Sequence, residues 1–417
     1  MSAFMTSFAE FITASPSSFH AAAEVARHLF AAGWQPVDAT SADAWPERGY
    51  LVRDGAVVAW NQPTTVAPSA PYRLIGTHTD SPGFVVKPAA THSAFGYLQV
   101  GVEVYGGPLL NSWLDRELEL AGRLVDRDGV EHLVRSGPAL RIPQLAIHLE
   151  RDVNSGLVLD KQRHMQPVWG VGEAADVVTE LAASVGLAAS DVAGYDLITG
   201  DSQPPAMFGR DSALFASGRL DNLSSTYAAL RAMLDTELGA DHTTVFVAFN
   251  HEEVGSETRA GACGPLLEDV LAALGESRGA SAAEQRAAFE RSWMISADAG
   301  HALHPNYAEK HDPINQPVLG GGSLLKINAN QRYTTDAHGE ALWARLCAEA
   351  GAPWQAFVSN NSVPCGSTIG PLSATRLGIR TVDVGAPVLS MHSARELCHV
   401  DDVPALSAAL SAFVAGR

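Results

Sequence analysis

The sequence has few basic residues and lacks long apolar runs. Its 28 lysines and arginines face 46 aspartates and glutamates, which gives a formal charge of −18 with neutral histidines. This excess of negative charge argues against nucleic acid or an anionic membrane as a partner. The chain has no apolar run long enough to cross a bilayer and no basic segment ahead of an apolar one near its start. We therefore expect neither a membrane span nor a signal peptide.

Cysteine is also scarce. The four cysteines, Cys263, Cys347, Cys365 and Cys398, include no Cys-x-x-Cys pair. Scattered cysteines are typical of reduced thiols in a cytoplasmic protein rather than of a disulfide framework. With 417 residues, 46% of them hydrophobic, the chain is long enough for a soluble protein of two domains.

The two ends of the chain differ in pattern from its middle. Residues 1–90 and 210–417 alternate short apolar runs with stretches of helical periodicity, which predicts an α/β domain with a mixed, mostly parallel sheet flanked by helices. Residues 91–209 instead read as β-hairpins, with one helix near 172–186. Further predicted strands are 243–250, 292–297 and 379–384, and further predicted helices are 222–236, 265–275, 281–291, 338–350 and 401–415. The sequence thus predicts a discontinuous α/β domain with a β-rich insertion.

Two adjacent glutamates follow an apolar strand in VFVAFNHEEVGSET, residues 245–258. Carboxylates brought together near apolar surface cost free energy unless cations or hydrogen bonds compensate. The alternative is that Glu252 and Glu253 are one solvated charge and one charge at a helix start. The pair raises the question of what compensates the two charges.

Other acids and histidines also lie at predicted element ends. The carboxyl ends of parallel strands meet at one edge of a sheet, where histidine, aspartate and glutamate side chains from separate strands can form a metal centre. Asp221 could instead be only a helix N-cap, Asp80 could cap a turn, and a lone histidine is more often a hydrogen-bonded structural residue. The residues in question are His78, Asp80, Asp221, Asp298, His301, His304 and His392.

Several blocks of the sequence together resemble the aspartyl aminopeptidase family, metallopeptidase family M18. The resemblance implies a zinc-peptidase type of α/β domain whose β-rich insertion pairs subunits. It also implies a metallo-aminopeptidase that removes N-terminal aspartate or glutamate from peptides. The blocks are GTHTDSPGF, VGVEVYGGPLLNSWLDREL, IPQLAIHLERDVN, SGRLDNLSS, NHEEVGSET, SADAGHALHPNY, KINANQRYTTD and SMHSARELCHVDD.

The resemblance implies two zinc ions per subunit, for which cobalt or manganese can substitute. His78 and Asp298 would hold one ion, Glu253 and His392 the other, and Asp221 would bridge both. Mixed imidazole and carboxylate ligands suit zinc. Asp80 would accept the second imidazole N–H of His78, and Glu252 would be the general base.

The resemblance further assigns substrate contacts and an assembly. Lys326 would meet an acidic first side chain, with Tyr333 nearby, unless Lys326 is a surface lysine on a strand. Met391 would line the first specificity pocket or belong to the core. His148, in the insertion, would enter the active site of a partner subunit in a tetrahedral dodecamer, unless it is an ordinary strand residue.

Two other functions remain open at this stage. One is a neutral aminopeptidase of broad specificity on the same metal site, and the other is a catalytically silent scaffold particle. His301 and His304 match the family without an assigned role.

Overall fold

The computed structural model describes residues 2–40, 45–172 and 175–417. Its helices are α1 (Ala3–Ala14), α2 (Ser18–Ala31), α3 (Val177–Ser184), α4 (Leu220–Asp235), α5 (Leu266–Ser277), α6 (Ala282–Arg291), α7 (Ala337–Ala350), α8 (Ile369–Leu377) and α9 (Asp402–Val414). Its strands are β1 (Gln35–Pro36), β2 (Arg48–Arg53), β3 (Ala56–Asn61), β4 (Tyr72–His78), β5 (Gly83–Ala94), β6 (Tyr97–Tyr105), β7 (Glu117–Asp126), β8 (Glu131–Arg135), β9 (Leu140–Arg141), β10 (Val168–Val171), β11 (Val192–Asp201), β12 (Ala206–Phe208), β13 (Leu214–Ser217), β14 (Thr243–Phe249), β15 (Trp293–Ala297), β16 (Gly300–His301), β17 (Ser323–Ile327), β18 (Trp354–Val358), β19 (Arg380–Gly385), β20 (Pro387–Val388) and β21 (Glu396–His399).

A nine-stranded mixed sheet is built from both ends of the chain, in the order β1-β2-β3-β14-β4-β15-β19-β17-β18. Its central strand β4 is parallel to β14 and β15, and β15 is parallel to β19. The neighbours β3 and β17 pair antiparallel with β14 and β19. Because β4, β14 and β15 run in one direction, their carboxyl ends lie at the same edge, where His78 pairs with Phe249.

Helices cover both faces of this sheet. In β14, Phe246 and Ala248 pack in the core that includes α1, α2, α4 and α9. Val245 and Val247 pack on the opposite side, in the core that includes α5 and α8. Alternate residues of a strand point to opposite faces, so a strand that is apolar throughout is buried on both sides. The predicted α/β class with flanking helices is confirmed.

A second sheet of seven strands lies between the two ends of the chain, in the order β11-β5-β6-β10-β9-β7-β8. The additional antiparallel pairing of β11 with β7 gives it a barrel-like form. It has a core of its own, which includes Phe84, Trp113 and Leu118. The sheet begins at Gly83 and ends at Asp201. The domain boundaries predicted at 90 and 210 stay a prediction.

The helices of the described residues are all shorter or more polar than a membrane-spanning helix has to be.

Candidate metal centre

Five side chains converge at the edge of the nine-stranded sheet from five separate segments. His78 ends β4, and Asp298 follows β15 directly. Glu253 lies in the turn after β14, and Asp221 lies in the first turn of α4. His392 lies in the connection between β20 and β21. The parallel strands therefore deliver their carboxyl ends to one place, as the sequence predicted.

His78 forms the first cluster with two aspartates. Its Nε2 atom lies 3.3 Å from Asp221 Oδ1 and 3.3 Å from Asp298 Oδ1. His78 is 1% exposed, so this cluster lies well below the surface. One ligand atom from each residue lies within 4.8 Å of the other two, a spacing that a single metal ion can bridge.

Asp221 also belongs to a second cluster, with Glu253 and His392. The Nε2 atom of His392 lies 3.4 Å from Asp221 Oδ2 and 3.3 Å from Glu253 Oε2. The two oxygens of Asp221 thus face different histidines, one in each cluster. This is the placement that a bridging carboxylate requires.

Glu252 lies beside the first cluster rather than within the second. Its Oε2 atom is 3.9 Å from His78 Nε2, and it forms a further ligand-spaced group with His78 and Glu253. Glu252 and Glu253 are both half-buried, and both lie in a single turn of 3-10 helix between left-handed residues His251 and Gly255. The turn thus places the carboxylate of Glu252 near His78 and that of Glu253 near His392.

The charges of the centre are unbalanced. Burial, together with the carboxylates of Asp298 and Asp221 and against the opposing imidazole of His78, raises the pKa of Glu252 to about 8. Burial likewise raises the pKa of Glu253 well above its usual value. Burial would also raise the pKa of Asp221, but the nearby imidazoles of His392 and His78 hold it well below its usual range. Added positive charge would therefore stabilise the ionised carboxylates.

The donor atoms fit zinc. Asp221 Oδ1 and Glu253 Oε1 are buried and have no hydrogen-bond partner among the described residues. A buried carboxylate oxygen without a donor is costly, and a metal ion is a partner that removes this cost. Imidazole nitrogen and carboxylate oxygen are both zinc ligands.

Asp80 connects the first cluster to the turn of the two glutamates. Its carboxylate accepts the backbone N–H of Glu252 and that of Glu253, each at 3.1 Å, and the hydroxyl of Tyr105 at 2.7 Å. The Nδ1 atom of His78 lies 3.1 Å from the backbone carbonyl of Asp80 and 3.4 Å from its Oδ1. Both acceptors favour the tautomer that leaves His78 Nε2 free for a metal.

Lys326 lies in the wall of the centre and not on the surface. It is 1% exposed, and its ammonium donates to Asp298 Oδ2 at 3.1 Å and to the carbonyl of Ala299 at 2.7 Å. The ring centroid of Tyr333 is 5.3 Å from the same ammonium, and Tyr333 packs edge-on against Phe357. The alternative of a surface lysine is therefore wrong.

The remaining predicted residues are not members of the ligand clusters. Met391 is half-buried and packs against the core shared by the sheet and its helices. His301 lies 6.2 Å, ring to ring, from Phe357, and the backbone N–H of His304 donates to His311 at 3.0 Å. His148 is exposed, in the stretch of turns between β9 and β10. The structure of one chain thus brings the ligands together but leaves His148 on the surface.

Sequence reasoning missed three contributors to the centre. Glu396 is buried and accepts the backbone N–H of Asp221 at 3.0 Å and that of His392 at 2.9 Å. Tyr105 binds Asp80, and the carbonyl of Gly107 lies 3.0 Å from His392 Nδ1. All three lie in blocks that resemble the family, VGVEVYGGPLLNSWLDREL and SMHSARELCHVDD, but no periodicity or spacing within these blocks indicates the contacts that the residues make.

Comparison with known proteins gives a consistent result. Residues 11–414 match the family described as aminopeptidase I zinc metalloprotease (M18). A probable M18 family aminopeptidase 2 of Streptomyces avermitilis is 50% identical, covering 97% of this chain and 96% of that one. The relative of the same name in Mycobacterium tuberculosis H37Rv is 43% identical, covering 98% and 97%.

Solved structures agree with these sequence relatives. A chain of the Ape4 and Nbr1 complex has a TM-score of 0.93 at 35% identity, covering 99% of this chain and 85% of that one. A chain of the S. cerevisiae mApe1 dodecamer has a TM-score of 0.86 at 26% identity, covering 98% and 95%.

Proposed function

This chain belongs to the M18 family of zinc metalloproteases and is an aminopeptidase, and we propose that it works with two zinc ions. His78 and Asp298 would hold one ion, Glu253 and His392 the other, with Asp221 shared. The observation that carries this proposal is the placement of Asp221, whose two oxygens lie 3.3 Å and 3.4 Å from different histidines.

Glu252 is the general base in this proposal. When bound, the zinc ions would polarise the scissile carbonyl and lower the pKa of water. Glu252 would take the proton from the attacking water and return it to the leaving amine. Two observations support this role: Glu252 lies 3.9 Å from His78, and burial with neighbouring carboxylates raises its pKa to about 8. A base with a raised pKa can both accept and donate a proton near neutral pH.

We propose a preference for N-terminal aspartate or glutamate, based on Lys326. Its buried ammonium is a cation in a chain of net charge −18, and it lies beside Asp298 and Tyr333. If zinc shares the charge of Asp298, the positive charge of Lys326 is no longer fully neutralised. The electrostatic field of Lys326, or a direct contact with it, would then favour an anionic substrate side chain beside Tyr333. The alternative is a neutral aminopeptidase of broad specificity. The ammonium of Lys326 already donates hydrogen bonds to Asp298 and to the carbonyl of Ala299, and this favours the alternative because an acidic substrate would have to compete with them.

Assembly into a dodecamer is also part of the proposal. A chain of similar fold comes from a structure described as the S. cerevisiae mApe1 dodecamer. In this chain the segment around His148 exposes Leu145, Ile147 and Leu149, by 56%, 47% and 75%. Burial of such side chains against another subunit would be favourable. His148 would then reach the partner's centre and stabilise the developing oxyanion.

A panel of aminoacyl substrates tests the function most simply. Hydrolysis of aspartyl, glutamyl, leucyl and lysyl derivatives is compared before and after treatment with a chelator. We expect aspartyl and glutamyl substrates to be cleaved fastest, and all activity to depend on metal. Equal rates for leucyl and aspartyl substrates would favour the neutral enzyme, and zinc binding without any hydrolysis would favour a silent scaffold. The same comparison after reconstitution with zinc, cobalt or manganese shows which metals support turnover, and fractionation of cells tests the predicted cytoplasmic location.

A further inference from the structure

Glu396 makes a pair of contacts that ties two proposed metal ligands together. It begins β21 and is 2% exposed. Its Oε2 accepts the backbone N–H of Asp221 at 3.0 Å, and its Oε1 accepts that of His392 at 2.9 Å. We propose that Glu396 is a positioning residue that sets the distance between Asp221 and His392. The proposal rests on the proposed function only in taking these two residues as zinc ligands.

Neither ligand is held by regular secondary structure. Asp221 has non-helical dihedral angles (φ −81°, ψ 105°) although it lies in the first turn of α4. His392 has a φ of +64°, in the left-handed region that side chains other than glycine seldom adopt. Such a conformation persists only when surrounding contacts fix it. The carboxylate of Glu396 provides one such contact for each residue.

The ring of His392 is fixed separately from its backbone. Its Nδ1 lies 3.0 Å from the carbonyl of Gly107, while its Nε2 faces Asp221 and Glu253. The backbone N–H of Leu109 also donates to the carbonyl of His392 at 2.9 Å. With the ring aimed by Gly107 and the backbone anchored by Glu396, the distance from His392 to Asp221 depends directly on one carboxylate.

Asp80 makes the same kind of link on the other side of the centre. Its two oxygens accept the backbone N–H groups of Glu252 and Glu253, while its own segment carries His78. A buried carboxylate between two ligand segments thus occurs twice in this centre. Mutation of a residue that hydrogen-bonds to a metal ligand commonly lowers metal affinity by about 10–100-fold. We expect an effect of that size for Glu396.

Asp402 provides a matched control. It is 0% exposed, and its two oxygens accept the backbone N–H groups of Gly320 and Gly322, each at 2.9 Å. The bonding is therefore the same as that of Glu396, yet neither partner is a proposed ligand. Asp402→Asn removes a buried carboxylate with two backbone partners without touching the centre, so it measures the general cost of such a change.

The first measurement is amide hydrogen exchange on the full chain after removal of metal. We expect the amides of Asp221 and His392 to be protected in the unmutated protein, because both are bonded to Glu396. In Glu396→Gln, one amide loses its acceptor, and we expect exchange at Asp221 or His392 to become at least about tenfold faster. Fast exchange of both amides in the unmutated protein would overturn the proposal, even if the variant failed to fold.

The second measurement is zinc titration of the same proteins. We expect Glu396→Gln to lower the affinity for the zinc ion held by Asp221, Glu253 and His392 by about 10–100-fold. Asp402→Asn should leave zinc affinity unchanged. Unchanged affinity in Glu396→Gln, or an equal loss in Asp402→Asn, would overturn the positioning role. These results can be told apart from a failure of the proposed function. A chain that bound no zinc would disprove the proposed function, yet its amides at Asp221 and His392 would still be protected if Glu396 positions them.

Discussion

The metal centre and the segment around His148 differ in what holds their functional side chains in place. His78 and Asp298 are 1% and 8% exposed and lie at the ends of buried parallel strands. His148 lies on an exposed stretch of turns in which Leu149 is 75% exposed. The centre is therefore organised within one chain, whereas any role of His148 depends on a second chain that covers this surface.

The largest effect is expected at Glu252, the proposed general base. Glu252→Gln removes the proton acceptor but keeps the size of the side chain, so kcat should fall by about 10²–10⁴-fold. The exposed Glu257, changed to Gln, is the matched control and should leave kcat unaltered. Zinc content, measured in parallel, should stay at the unmutated value. A kcat close to that of the unmutated enzyme would mean that another group accepts the proton.

A somewhat smaller loss is expected at His148. His148→Ala should lower kcat by about 10²–10³-fold, the usual effect of removing one oxyanion donor, and should leave zinc content intact. The matched control is His164→Ala, because His164 is exposed in the same stretch of turns.

Mixing two inactive variants distinguishes a role in a partner's site from a role within one chain. His148→Ala and Glu252→Gln are combined under conditions that let subunits exchange. Some sites then pair an intact Glu252 with an intact His148 from the partner, and activity should return. If exchange is demonstrated by labelled subunits and no activity returns, His148 does not act across the interface.

Lys326 should affect substrate choice more than overall rate. Lys326→Met removes a buried ammonium, and a lost charge-assisted hydrogen bond costs about 1.5–3 kcal/mol, so the ratio of aspartyl to leucyl kcat/KM should fall by about tenfold or more. The ratio is the relevant quantity because Lys326 also contacts Asp298, and a loss through the metal would lower both rates. Lys310→Met, at an exposed lysine, should leave the ratio unchanged. An equal fall in kcat/KM for both substrates would mean that Lys326 supports the metal centre and does not select acidic substrates.

The smallest effect concerns His20, which lies on α2, a helix that packs against strands of both sheets. Burial and the charges of Arg135 and Arg219 lower its pKa to about 4, against about 6.5 in an unfolded chain. Between about pH 4 and pH 6.5 the unfolded chain binds more protons at His20 than the folded chain does. The free energy of unfolding therefore falls as pH falls through this window, whereas His20 has no effect on it above about pH 6.5. At pH 5 the loss should be about 2 kcal/mol. Because Glu252 and other groups titrate in both proteins, the quantity to compare is the change in the free energy of unfolding between pH 7 and pH 5, which should be about 2 kcal/mol more destabilising in the unmutated protein than in His20→Gln.

The sequence predicted which side chains come together better than it predicted the residues that support them. His78, Asp221, Glu253 and Asp298 lie at the ends or starts of elements whose apolar patterns are visible in the sequence. Glu396 was missed because a side chain that binds a backbone N–H far away in the chain follows no period. The burial of Lys326 was expected from the family resemblance alone, because β17 is only five residues long and a short apolar run does not reveal how deeply a strand is covered.

The second sheet illustrates the same limit. Its hairpins were predictable from alternation and from the Asp128-Gly129 turn, which lies between β7 and β8. That its Tyr105 and the following Gly107 would bind Asp80 and His392 depends on the packing of one sheet against the other. Contacts of this kind are set by tertiary structure, and local sequence carries no signal for them.

Zinc content of Asp221→Asn tests the shared ligand, the central claim, most directly. The unmutated chain, the variant and the control Asp402→Asn are dialysed against the same dilute zinc buffer, and bound metal is then measured. Because Asp221 faces both clusters, we expect two zinc ions in the unmutated chain and in the control, and substantial loss of both ions in Asp221→Asn. Retention of both ions by Asp221→Asn would contradict the bridging role.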